Sequence, residues 1–182
     1  MHCGAPDAKV RAPAASRAES FQITLRHIVS ILLQNEAGAL SRVANMFSSR
    51  GYNIESLCVA PTHDPSVSRL TLVTSGSDAV IEQIVMQTRK LVDVVEIADL
   101  SAAAHVECEL LIAKIELPPS KANAFIHCVR DHHATALDGT DNTRTVQLAG
   151  TAAQIEAFLA ALGAFSSVLE VVRSGVAALA LG

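Results

Sequence analysis

RHIVSILLQNEAGALSRVANMFSSRG (Arg26–Gly51) changes its pattern once, at Gly38, and that change decides the fold. From Arg26 to Asn35 the chain is a nearly continuous run of β-branched residues and leucine, the pattern of a strand buried on both faces. After Gly38, Leu40, Val43, Ala44 and Phe47 recur at helical spacing, and Gly51 stands just past them as a C-terminal cap. A strand, a glycine turn and a helix of about three turns follow one another directly. Working outward, Asn53–Thr62 and Val67–Gly76 read as two strands of a hairpin, with His63, Asp64 and Pro65 at its tip. Ser77 is placed to cap a helix whose Ile81, Ile84, Val85, Thr88 and Leu91 share a face. Val94–Leu100 closes a βαββαβ order.

The same order returns beyond Ser101. Glu109–Leu117 reads as a strand, Pro118 and Pro119 break it, and a helix carrying Phe125, Ile126 and Val129 follows. Thr143–Gly150 is a strand, and Thr151 and Gln154 are spaced as a capping box for the helix after it. Val168–Val176 is the last strand. VQLAGTAAQIEAF repeats the strand, small-residue turn and capped helix of LTLVTSGSDAVIEQI. The expected class is α+β, two ferredoxin-like βαββαβ units in tandem. Residues 1–24 form a tail rich in Ala, Pro, Ser and Arg and read as disordered. Residues 25–102 are the first unit and 103–182 the second, with the boundary near Ala102–His105.

Composition excludes several function classes. The chain has 182 residues, half of them hydrophobic, enough to bury real cores. Its net charge is −4 and its 14 Lys and Arg form no basic run, so the electrostatic footprint of a nucleic-acid binder is missing. Charged residues interrupt every apolar stretch well short of the roughly 18 residues a spanning helix needs, so no membrane segment is expected. Cys3, Cys58, Cys108 and Cys128 form neither a disulfide framework nor a zinc ribbon, which points to a reducing cytoplasm. Cys58 and Cys108 read as small buried strand residues. The tail lacks a signal-peptide core; its Arg and Ala content leaves organelle targeting as the alternative address.

The turn before the first helix carries a chemical reading. The amides of Gly38, Ala39 and Leu40 lie at a helix N-terminus, where free N–H groups and a positive partial charge suit a carboxylate. Asn35 offers both a carbonyl to an ammonium group and an amide to a carboxylate, while Leu40 and Ile54 can enclose a short aliphatic side chain. A free amino acid has all three features. From spacing alone, an ordinary strand-to-helix turn is the simpler account of Asn35 and Gly38.

The stretch QNEAGALSRVANMFSSRGYNIESLCVAPTHDPSVSRLTLVT resembles the ACT domain of the acetolactate synthase small, regulatory subunit, whose signature runs like NExGALSRVxxLFSxRGYNIESLxVxPT followed by SRxT. The likeness continues through EQIVMQTRKLVDVVEIADLS, HVECELLIAKI and TVQLAGTAAQIEAFLAAL to EVVRSGVAAL, roughly Arg26 to Leu181. Residues 118–143 depart from the family's habitual pattern. The resemblance implies a non-catalytic chain that binds a large catalytic subunit, raises its activity and transmits feedback inhibition by valine in branched-chain amino-acid biosynthesis. Thiamine diphosphate, magnesium and FAD are then expected on the catalytic subunit only, with no cofactor in this chain. The resemblance also implies a homodimer paired through ACT domains. Its effector lies between two chains, held by Asn35, Gly38, Ala39 and Leu40 of one and by Asn53 and Ile54 of the other. Asn35 and Asn53 stand roughly 20 Å apart along one straight helix, so a two-fold site is a natural way for both to reach one ligand.

Other classes compete. An amino-acid sensor of this type can regulate a different enzyme, since fold does not fix function. His127, Cys128, His132 and His133 suggest zinc or nickel, but their spacing suits no single helix face, and solvated loop histidines are the simpler account. Asp131, Asp138 and Asp141 read as solvated surface. No Ser-His-Asp set, P-loop or dinucleotide fingerprint supports independent catalysis.

Overall fold

The computed structural model describes residues 25–140 and 142–182. The first sheet is antiparallel, in the order β2 (Ser56–Pro61), β3 (Val67–Gly76), β1 (Leu25–Gln34), β4 (Val94–Asp99). Helices α1 (Ala39–Ser49) and α2 (Asp78–Thr88) cover one face. Val29, Ile31 and Leu33 of β1 meet Val43, Met46 and Phe47 of α1 and Ile81 and Ile84 of α2 in one core. The inward stripe of α1 is Ala39, Val43, Met46 and Phe47, so Leu40 is left exposed at the surface.

Gly51 ends α1 as its position suggests. At φ +70° it donates its amide to Ser48 O, and Tyr52 N reaches back to Phe47 O. This is a Schellman closure, and the edge-on packing of Tyr52 on Phe47, centroids 6.2 Å apart, supplies its apolar contact. Ser77 precedes α2 but its hydroxyl makes no capping bond, so the expected cap is positional only.

The second sheet repeats the order with β6 (Thr135–Gly139), β7 (Thr143–Gly150), β5 (His105–Glu116) and β8 (Ser167–Arg173). Helices α3 (Ala122–Asp131) and α4 (Ala152–Gly163) cover one face, around Leu111, Ile115, Phe125, Ile155 and Phe158. The Thr151–Gln154 capping box of α4 is formed in both directions. Strand β6 completes the βαββαβ pattern in a segment to which the sequence reading assigns no strand. Its residues are all exposed, so it has no buried alternation to betray it. Ile126 points outward, 59% exposed, and Cys128 takes the inward place beside Phe125. Cys58 is half-buried and Cys108 exposed, against the expectation that both are core residues.

The halves are joined by one strand. β5 begins before the second sheet does: His105–Cys108 pair with β9 (Ala177–Ala180), and only from Glu109 onward does β5 pair with β7. Val176 and Ala178 sit on the far face of the first sheet against Ile28, Val73 and Leu100. That contact explains why β1 is buried on both faces while β5 alternates.

Candidate functional site

The connection from β1 to α1 is built from two polar anchors and a left-handed glycine. Asn35 is fixed at both ends of its amide: Nδ2 donates to Pro65 O at 2.9 Å and Oδ1 accepts from Ser68 Oγ at 3.1 Å. Each end keeps a second hydrogen-bonding position, so the side chain is oriented and still able to take a ligand. Gly38 stands at φ +89°, and a β-carbon there would lie 3.0 Å from Arg42 Nη1. The left-handed conformation favours glycine, while the nearest neighbour is only the tip of the Arg42 side chain.

Of the expected anion seat, Ala39 N is already used, donating to Glu36 O at 3.2 Å. Among the described residues the amides of Gly38, Leu40 and Ser41 have no partner and constitute the open end of the helix. Asn35, Ala39 and Leu40 line a pocket of about 250 Å³ closed on the other side by Val59, Pro61 and Ser68. An apolar wall, the oriented Asn35 amide and the free N–H of Leu40 therefore meet at this end of α1, while Gly38 and Ser41 stand outside the lining of that pocket.

Sequence reasoning misses the pair behind the turn. Arg42, one turn into α1, forks onto Asp93, with Nη2 to Oδ1 at 2.7 Å and a second, short bond from Nε to Oδ2. The Asp93 side chain is buried, and the Arg42 guanidinium holds its carboxyl below the usual carboxylate range. The Asp93 carbonyl also accepts from Gln34 N, so the pair fixes α1 to the end of β1. Residues 51 positions apart leave no local signal for such a pair.

Asn53 and Ile54 lie beyond the opposite end of α1, an 11-residue helix spanning about 16 Å. Asn53 is exposed, its carbonyl accepting from Thr74 Oγ1 at 2.6 Å; Ile54 is half-buried against the first core. One chain does not bring them into the pocket that Asn35, Ala39 and Leu40 line.

The histidine segment disperses. Cys128 is buried in the second core, which pushes its thiol pKa up; His132 lies on Phe158 with centroids 5.4 Å apart; His127 Nδ1 is 2.9 Å from Arg130. Asp131 pairs with Arg130, Asp138 caps Gly139 N, and Asp141 lies outside the described residues. Among the described residues no three His, Cys, Asp or Glu side chains converge on one point. His63–Pro65 form the β2–β3 tip, closed by Asp64 Oδ1 accepting from Ser66. No helix of the described residues is long and apolar enough to cross a membrane. The expectations for residues 1–24, Cys3 included, lie outside the described residues.

A ferredoxin-like sheet with an open helix end beside an oriented asparagine defines an ACT-type regulatory module. Residues 29–96 match the family model described as an AHAS small subunit-like ACT domain, and residues 108–182 match that of the small subunit of acetolactate synthase. The chain is 46% identical over 158 residues to the acetolactate synthase isozyme 3 small subunit of Escherichia coli K12, covering 87% of this chain and 97% of that one. The Salmonella typhimurium counterpart is 47% identical over the same shares. The crystal structure of the Thermotoga maritima acetolactate synthase small subunit superposes with a TM-score of 0.78 at 30% identity, covering 87% of this chain and 98% of that one. The chain belongs to the acetolactate synthase small subunits, regulatory chains that partner a catalytic subunit.

Proposed function

We propose that two copies of this chain pair through their first sheets and bind valine between them, and that the pair both activates an acetolactate synthase catalytic subunit and lowers its activity when valine is bound. The observation that carries this reading is the end of α1, where the fixed Asn35 side chain and exposed Leu40, whose amide is unpartnered, line one pocket. The amides of Gly38, Leu40 and Ser41 take the carboxylate, Asn35 spans carboxylate and ammonium, and Leu40 meets the isopropyl group. Asn53 and Ile54 of the second copy complete the site. A two-fold pair then holds two equivalent sites, each with both ends of a helix represented.

Regulation follows as linkage. Valine binds one arrangement of the pair better than another, the catalytic subunit favours the other, and a coupling of roughly 1–3 kcal/mol gives several-fold to hundred-fold inhibition. One methylene is worth only about 1–3 kcal/mol in such a pocket, so isoleucine and leucine bind more weakly but measurably. Thiamine diphosphate, magnesium and FAD belong to the catalytic subunit, and the complex works in the cytoplasm. The test is calorimetric titration of the purified chain with valine, isoleucine and leucine, followed by assay of acetolactate formation with and without the catalytic subunit. The reading requires no turnover by this chain alone, stimulation of the catalytic subunit, and valine as the tightest ligand. Co-purification with a different enzyme, or a chain that binds none of the three, contradicts it.

A further inference from the structure

The two halves meet at a point two residues beyond the proposed effector contacts, apart from the Arg26–Glu107 ion pair at 2.8 Å. Val176 N donates to Ser56 Oγ at 3.0 Å, a bond between segments 120 residues apart. Just before it, Gly175 has φ +78°, and a β-carbon there would lie 2.9 Å from Ser56 Oγ and 3.1 Å from Leu57 O. The two segments lie close enough that a β-carbon would press on the Ser56 hydroxyl and crowd the Leu57 carbonyl, and the left-handed φ itself favours glycine.

Each side of this contact is stiffly held. On the C-terminal side, Arg173 forks onto buried Glu109 at 3.0 and 2.6 Å and reaches Glu156 of α4 at 2.6 Å. Ser174 N donates to Leu110 O, and Ser174 Oγ accepts from Leu110 N, both at 3.0 Å. Residues 173–176 therefore move with the centre of the second sheet. On the ACT side, the Asn53 carbonyl accepts from Thr74 Oγ1, Glu55 N donates to Val73 O at 2.9 Å, and the Glu55 carboxylate accepts from Ser75 Oγ. The extended segment 53–56 is bound along β3, so a displacement of Asn53 and Ile54 carries Ser56 with it. Beside the contact opens a cavity of about 510 Å³, lined by Arg26, Glu55, Leu57, Glu109 and Arg173. The contact has open space on the cavity side, while on the other side Val176 and Ala178 seat it on the first sheet against Ile28, Val73 and Leu100.

We infer that the Ser56–Gly175 contact is the joint through which the effector state of the ACT half reaches the C-terminal half, with Ser56 and Gly175 as positioning residues that touch neither valine nor the catalytic subunit. This rests on the reading that valine meets Asn53 and Ile54. Coupling requires an element whose position both sites bias; with the catalytic subunit seated on the C-terminal half, residues 53–56 and 173–176 would be that element, joined by one hydrogen bond and one close approach.

The test uses the full chain with its catalytic subunit, comparing Ser56→Ala, which removes the acceptor, and Gly175→Ala, which wedges the backbones apart. In the isolated variants valine affinity stays within about threefold of the parent and stimulation of the catalytic subunit persists, while inhibition at saturating valine falls by about fivefold or more. Reciprocity supplies a second readout: in the parent, valine affinity differs with and without the catalytic subunit, and in the variants that difference disappears. Ser56→Ala deletes a single hydroxyl and carries the test if Gly175→Ala fails to fold. Full valine inhibition in a folded Ser56→Ala chain overturns the joint, as does loss of valine binding or of stimulation along with inhibition. A parent chain that binds no valine is a separate result, one that removes the proposed function and the joint with it.

Discussion

The central strands of the two halves, β1 and β5, occupy the same place in the same topology and are buried differently. β1 is covered on both faces, by helices on one side and by Val176 and Ala178 on the other. From Glu109 to Glu116, β5 alternates, with Leu111, Ala113 and Ile115 inward and Leu110, Lys114 and Glu116 exposed. The difference is written in the residues, IVSILL against ELLIAKIE, because a strand covered twice has no polar face to keep. It teaches that the first sheet is the shared surface of the molecule: it serves its own helices, the C-terminal segment and the Asn35–Ala39 turn at once. The second sheet has one covered face and one open face.

Four measurements break or sharpen this contrast. The largest effect is common to both halves: Phe47→Ala and Phe158→Ala each empty a fully buried aromatic position and lose about 3–5 kcal/mol by denaturant unfolding. Far-face substitutions then separate them. Ile28→Ala, at a residue 2% exposed, loses about 2–5 kcal/mol, while Leu110→Ala, at 39% exposed, stays below about 1 kcal/mol. Equal losses would mean that the second sheet's far face is also covered in solution.

Capping gives a smaller contrast. Thr151→Ala breaks a formed capping box and loses about 1 kcal/mol, whereas Ser77→Ala, which removes no capping bond, changes stability by under about 0.5 kcal/mol. The fourth measurement depends on acid. The Asp93 pKa is depressed in the folded chain by Arg42, so its contribution is present above the ordinary aspartate value of about 3.9 and is lost as pH falls through the folded value. Thermal midpoints of the parent and Asp93→Asn should therefore differ at pH 7 and converge as the pH falls below about 4. A constant gap would show that the Arg42 pair contributes nothing that titrates.

Much of this was legible from one sequence, for local reasons. β1, β3, both N-terminal helices, the Gly51 closure and the Thr151 box each depend on residues within a few positions of one another. What was not legible depends on distant partners or on weak patterning. β6 is an exposed edge strand without buried alternation, and β9 is four residues, AALA, whose strand character comes from pairing with His105–Cys108. Cys108 is misjudged because it lies in the part of β5 that precedes the second sheet. At the site, Asn35 and Gly38–Leu40 could be grouped from the turn, but Arg42–Asp93 and the Ser68 and Pro65 anchors of Asn35 come from long-range packing. Asn53 and Ile54 lie beyond the other end of α1 and would join that group only in the proposed pair of chains.

That two-chain site is the central claim, and mixing two damaged chains tests it most directly. Asn35→Ala and Asn53→Ala each spoil both sites of a homodimer, whereas a mixed pair keeps one site with Asn35 from one copy and Asn53 from the other. The account predicts that neither variant alone binds valine by calorimetry, and that an equilibrated equal mixture recovers about a quarter of the parent's binding capacity, one site in each mixed dimer. A mixture that recovers no binding, or either variant retaining parental affinity by itself, would contradict it.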